Sequence, residues 1–131
     1  MKILTTALVS TALLAGCSSG LLSHSNNMAT DAPTRAADGR LVGPNGNTLY
    51  SFAKDGNSGV SMCNDQCAVN WPPLGVAPTA KPMGDYTIVT RSDGTRQWAF
   101  RGQPLYYFAK DMKSGDTTGD GIAGNWKIVR P

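Results

Sequence analysis

The chain has 131 residues, with 12 Lys and Arg against 9 Asp and Glu, a net charge of +3, and basic residues spread along its length. That spread excludes the clustered basic face that nucleic acid requires, so no nucleic-acid partner is expected. The acids are all Asp, Gly numbers 15 and the one histidine is His24, a composition of turn formers and weak helix formers that points to a β-rich domain.

Residues 1–16 read as an export signal: Lys2, then an uncharged stretch that ends in small residues. That stretch is shorter than the roughly 20 residues of a membrane span. Leu14-Ala15-Gly16-Cys17 matches the lipobox of bacterial lipoproteins, so Cys17 is expected to carry diacylglycerol and an amide-linked chain such as palmitate. More than one acyl chain holds a protein on a membrane without spanning it. Ser18, being other than Asp, fits sorting to the outer membrane, facing the periplasm or the surface. Residues 17–34 are the acylated cysteine and a flexible Ser/Asn/Ala/Thr-rich tether, and residues 35–131 are long enough for one compact domain. Without Lys2 the mature chain keeps eleven basic and nine acidic side chains, a net +2.

Within the domain one phrase occurs twice. TLYSFAKD at 48–55 returns as PLYYFAKD at 104–111, and the offset of 56 also aligns Ser58-Gly59 with Ser114-Gly115, Arg40 with Arg96 and Thr34-Arg35 with Thr90-Arg91. Asn70-Trp71 and Asn125-Trp126 correspond after a one-residue gap. The domain is an internal duplication, with repeats at about 35–75 and 86–131 that share one core, since a solenoid needs three or more units.

In the first repeat, Leu41-Val42 is a short strand, Asn45-Gly46 turns, and 48–53 is the motif strand. In the second, 86–91 is β-prone, Asp93-Gly94 is a hairpin turn, 95–100 alternates, Arg101-Gly102 turns again, and 104–109 is the motif strand. Period two places Tyr50 with Phe52, and Tyr106 with Phe108, on one face of their strands, and Leu49 with Ala53, and Leu105 with Ala109, on the other. The fold class is all-β: two pseudo-symmetric antiparallel meanders closing a small sandwich or barrel-like domain, with those aromatics, Trp98, Phe100 and Trp126 in its core. Asp55 and Asp111 stand where a carboxylate can accept backbone N–H groups and fix the turn that ends the strand.

Cys63-Asn-Asp-Gln-Cys67 occurs in the first repeat only. In an exported protein the two cysteines are expected to pair, pinning the loop that leads to Trp71-Pro72-Pro73, although so small a loop contributes only about 2 kcal/mol. The competing reading is a redox or Cu(I) site using Met62, Cys63 and Cys67. It lacks the histidine ligand of similar copper chaperones, because His24 lies in the tether. Asp116 and Asp120 do not follow calcium-loop spacing and read as a polar turn. Trp71-Pro72-Pro73 is either a candidate binding surface for a protein or glycan or a strut across the core.

The lipobox, the paired Tyr-x4-Asp phrases (Tyr50 to Asp55, Tyr106 to Asp111), CNDQCAVNWPPL and GDTTGDGIAGNWKIV together resemble the secreted-repeat bacterial lipoproteins, defined by a tandem Tyr-x-aromatic-x-x-Asp motif. The resemblance implies export, lipidation and a paired-repeat fold, and brings no activity. The domain has no His or Glu, no Gly-x-Ser-x-Gly and no phosphate loop, so neither catalysis nor a cofactor is expected. The expected function is a lipid-anchored, non-enzymatic binding or structural module with an unknown envelope protein or glycan as partner; the alternative is redox or copper handling at the cysteine pair.

Overall fold

Glycine and aspartate turns interrupt the chain every few residues, so its strands are short and its sheets small. The computed structural model describes residues 31–131; the export signal, Cys17, His24 and the tether up to residue 30 lie outside the described residues. In order the elements are β1 (Thr34–Arg35), β2 (Leu41–Val42), β3 (Tyr50–Phe52), a 3-10 turn (Ala53–Asp55), α1 (Gln66–Asn70), β4 (Tyr86–Thr90), β5 (Arg96–Phe100), β6 (Gln103–Pro104), a second 3-10 turn (Ile122–Gly124) and β7 (Trp126–Ile128). Three antiparallel sheets result, β1-β2, β3-β7 and β4-β5-β6, and they do not close into a barrel. The domain is small and all-β, as expected, with one helix of five residues.

The two repeats are interleaved rather than set side by side. β3 pairs with β7 of the other repeat, Tyr50 opposite Ile128 and Phe52 opposite Trp126. The tryptophan segment of the first repeat does the reverse: Tyr107 N–H donates to the Pro72 carbonyl (2.7 Å) and Leu74 N–H to that of Leu105 (3.0 Å). Between them Tyr50 and Tyr106 exchange backbone hydrogen bonds of 2.8 and 3.0 Å, marking a pseudo-twofold axis. The strand expected over 104–109 therefore divides its partners, β6 on β5 and Tyr106 on both Tyr50 and Pro73.

The hairpins show where the repeats diverge. Ala36 N–H donates to the Arg40 carbonyl, and Arg91 N–H to that of Thr95, so these are equivalent turns. Leu49 N–H donates to Leu41 and Leu105 N–H to Trp98, so Leu41 and Trp98 are equivalent too. One residue step separates Arg40 from Leu41 but three separate Thr95 from Trp98, so the second hairpin is two residues longer on each arm. The sequence pairing of Thr34-Arg35 with Thr90-Arg91, and of Arg40 with Arg96, is thus a register coincidence: Arg35 is exposed whereas Arg91 is buried.

Period-two sorting divides the interior into two clusters. Tyr50, Phe52, Trp71, Tyr106, Phe108 and Trp126 form an aromatic one on the pseudo-axis. Leu41, Leu49, Leu74, Leu105 and Val129 form an aliphatic one, and this is where Trp98 and Phe100 sit, apart from the aromatics with which they were expected. Ala32 is buried in the same cluster and Asp31 accepts the Ala77 N–H, so residues 31–34, read as the end of the tether, belong to the domain.

Candidate functional site

Each motif tyrosine reaches across the pseudo-axis to the aspartate of the other repeat. Tyr50 donates to Asp111 Oδ2 at 2.7 Å, and Tyr106 to Asp55 Oδ2 at 2.5 Å. The second oxygen of each carboxylate accepts a backbone N–H seven residues on, Met62 for Asp55 and Thr118 for Asp111, at 2.7 and 2.9 Å. Both aspartates thus fix the loops that follow them, and they also lock the repeats together, a partnership invisible in either copy alone. Burial raises both phenols well above the usual tyrosine range, and the facing carboxylates reinforce the effect.

The clasps flank a stack of four rings. Trp71 and Trp126 lie face to face at 3.8 Å and 2°, with Phe108 on the outer face of Trp71 and Phe52 on that of Trp126, each at 4.2 Å. Each tryptophan takes the tyrosine of its own repeat edge-on and the phenylalanine of the other repeat face-on. Gly119 runs so close that a Cβ there would stand 2.7 Å from the Trp71 ring, so only glycine fits. Trp71 is 5% exposed with both faces covered, and Pro72 and Pro73 are half-buried in backbone pairing. Within the domain the Trp71 ring is packed as a strut between Phe108 and Trp126.

The two clasps differ in their surroundings. Around Tyr50 and Asp111 the closing groups are Gly119 N–H and the Thr118 hydroxyl. Around Tyr106 and Asp55 a polar chain leads to a buried cation: the Tyr106 hydroxyl bonds Ser61 Oγ at 2.7 Å, which accepts from Arg91 at 2.9 Å. Arg91 also donates to Gln97 Oε1 (2.7 Å) and to the Cys63 carbonyl (2.6 Å). Burial raises the Asp55 carboxyl above its usual range, opposed by hydrogen bonds from Tyr106 and Met62 and by the Arg91 charge. The arms that lengthen the second hairpin thus carry Arg91 onto the cysteine loop, where Gln97 accepts from it. That distinction was not legible in the sequence, where Arg91 aligned with an exposed arginine.

Cys63 and Cys67 form a disulfide. Its sulfurs are bonded to each other, so in this state they offer a metal no thiolate. The loop between them runs into α1, whose Trp71 N–H donates back to the Cys67 carbonyl; with only five residues, QCAVN, it has no apolar period to betray it. Met62 is 61% exposed, as are Val60 (56%) and Val69 (63%) nearby in sequence. Asn70, Trp71, Phe108, Ala109, Lys110 and Ile122 line a cleft of about 220 Å³. Asp116 accepts the Met112 and Lys113 N–H groups and Asp120 that of Ile128. Among the described residues no three His, Cys, Asp or Glu side chains gather.

A family model described as a secreted repeat of unknown function matches residues 34–75 and again residues 87–130, the two halves that clasp each other. The chain belongs to this secreted-repeat family. No curated protein and no solved structure matches it. Membership accords with an extracellular or envelope location, and no helix among the described residues is long and apolar enough to cross a membrane.

The secreted repeat, seen as one unit, therefore supplies a motif strand with a cross-reaching tyrosine, a carboxylate for the tyrosine of its twin, and a tryptophan for the central stack. Because Asp55 has a raised carboxyl in the folded state, its contribution is fully present below its unfolded value and is lost as pH rises through the folded one. Asp55→Asn removes that loss. The stability of the variant relative to the parent should rise as pH goes from about 3 to about 7, measured by urea unfolding at each pH. A flat difference would mean that Asp55 ionises in the fold as it does in the unfolded chain.

Proposed function

We propose that this secreted-repeat protein is a lipid-anchored module of the bacterial envelope, held on the outer membrane through Cys17, that binds another envelope protein without catalysing a reaction. The observation that carries the reading is a division of labour between the repeats. The tyrosines and aspartates of the motif are buried and spent on each other, so the chemistry of the duplicated phrase serves the fold. What the first repeat adds is the disulfide-pinned 60–70 segment, which leaves Val60, Met62 and Val69 exposed on a braced loop. Exposed apolar side chains on a rigid support suit a protein partner better than a glycan, for which the stacked Trp71 has no free face.

The test places a photo-crosslinking residue at Met62 or Val69 in the exported chain, with Lys127, exposed on β7, as control. A discrete protein adduct from the first two positions and none from the third is expected, in the membrane fraction and lost to the soluble fraction with Cys17→Ser. No adduct, or the same adducts from all three positions, would sink the reading. The copper alternative needs Cys63 and Cys67 reduced. Native mass spectrometry of the exported protein with copper supplied decides it: a metal-sized increment lost on Cys63→Ser would replace the binding module with a copper carrier.

A further inference from the structure

The repeated phrase holds one residue that the fold does not use. In each copy of Phe-Ala-Lys-Asp the phenylalanine joins the stack and the aspartate closes a clasp. Lys54 and Lys110 are instead exposed and, among the described residues, pair with no acid. The exposed positions just beyond them have diverged, Gly56 against Met112 and Asn57 against Lys113, yet the lysine stands in both copies. One backbone bond sets each lysine next to the Asn-Trp corner of the other repeat: Ala109 N–H donates to the Asn70 carbonyl (2.9 Å) and Ala53 N–H to that of Asn125 (2.7 Å).

At the Lys110 corner lies the cleft of about 220 Å³, and its lining is of two kinds. Trp71, Phe108, Ala109 and Ile122 are apolar; Lys110 is the one charged residue and Asn70 the one amide. Trp71 and Phe108 are already fixed by their stacking, and Asn70 and Ala109 by their backbone bond, so little ordering is left for a ligand to impose. The volume falls below the roughly 300 Å³ at which drug-sized sites begin, so the occupant is small. A cation beside an apolar wall selects a molecule with both an anionic end and an apolar body, since charge-assisted hydrogen bonds are the strong ones and the body leaves water. We propose that this cleft binds a free, small amphipathic carboxylate about the size of phenylacetate, its carboxylate on the Lys110 ammonium and the Asn70 amide and its apolar body against Phe108 and Ile122. Inorganic phosphate would meet the cation but leave the apolar wall uncovered. None of Val60, Met62 and Val69 lines the cleft, so the site does not rest on the function proposed for them.

The experiment uses the exported chain with Cys17→Ser, which avoids detergent, labelled with ¹⁵N at the indoles, and titrates phenylacetate against 2-phenylethanol. The two probes share a ring and differ in charge. Trp71→Phe and Trp98→Phe assign the indole signals of the lining tryptophan and of one in the other cluster. Phenylacetate should move the Trp71 signal and leave that of Trp98, and should bind about tenfold tighter than the alcohol, the worth of one charge-assisted hydrogen bond. Lys110→Gln should abolish that preference while the affinity for the alcohol stays. Ile122→Ser should weaken both probes alike. Lys110 and Ile122 are exposed, so neither substitution threatens the fold, and Lys127→Gln, which removes an equal charge from β7, should change nothing. Equal affinity for acid and alcohol, a Trp71 signal that neither probe moves, or a loss on Lys127→Gln as large as on Lys110→Gln would overturn the proposal.

Discussion

Cut between Lys81 and Pro82, the protein should yield two fragments that are unfolded apart and fold when mixed. Circular dichroism and the near-ultraviolet signal of the stacked tryptophans would follow the assembly. The cut falls in the exposed connector, so it removes no core contact. Each fragment nevertheless loses its main partners: β3 loses β7, Tyr50 loses Asp111, Asp55 loses Tyr106, and each tryptophan is parted from the other. A repeat of about 45 residues is already below the size at which a single core sustains a fold unaided. Left alone, it would also expose a motif strand and two aromatic faces. Stable folding of the 82–131 fragment by itself would show that the three-stranded sheet β4-β5-β6 is sufficient and that the cross-repeat clasps are secondary. The outcome also bears on why the phrase is written twice. Tyrosine and aspartate five residues apart on one chain cannot close on each other here, and they find their partners only in a second copy.

That crossing is what the sequence conceals. Two copies of Tyr-x4-Asp announce a duplication, and alternation puts Tyr50 with Phe52 on one face and Leu49 on the other, both faces being buried in the fold; both readings depend only on local spacing. Which aspartate a tyrosine bonds is a matter of topology, and identical copies carry no mark to distinguish the near partner from the far one. The disulfide was legible because export and proximity are both written in the chain. Helix α1 was not, because it arises from turns at Asn64 and Asp65 whose carbonyls accept from Cys67 and Ala68. The buried Arg91 was hidden by an alignment that held its offset across a two-residue lengthening of each hairpin arm. Trp98 was placed correctly in the core, but the core's division into two clusters was not foreseen, since strand alternation gives the face of a side chain and not the neighbours it meets there.

The stack at the centre makes the sharpest quantitative demand. Trp126→Ala should destabilise the domain by about 4 kcal/mol, the usual scale for deleting a large buried aromatic, read from the urea midpoint at unchanged slope. Against a total stability of about 5–15 kcal/mol for a domain, this comes close to unfolding it. Trp71→Ala should cost nearly the same, because each ring occupies the same place in its repeat: one phenylalanine and one tryptophan on its faces, one tyrosine at its edge. The two substitutions should not add. The face-to-face contact at 3.8 Å is lost once in either single variant, so the double variant should recover about 1 kcal/mol relative to the sum. Full additivity would mean that the tryptophans act as independent fillers of two half-cores that merely touch. A deficit well beyond that would mean that removing either ring already unfolds both repeats, so that the stack is the single point through which the two halves are held as one domain.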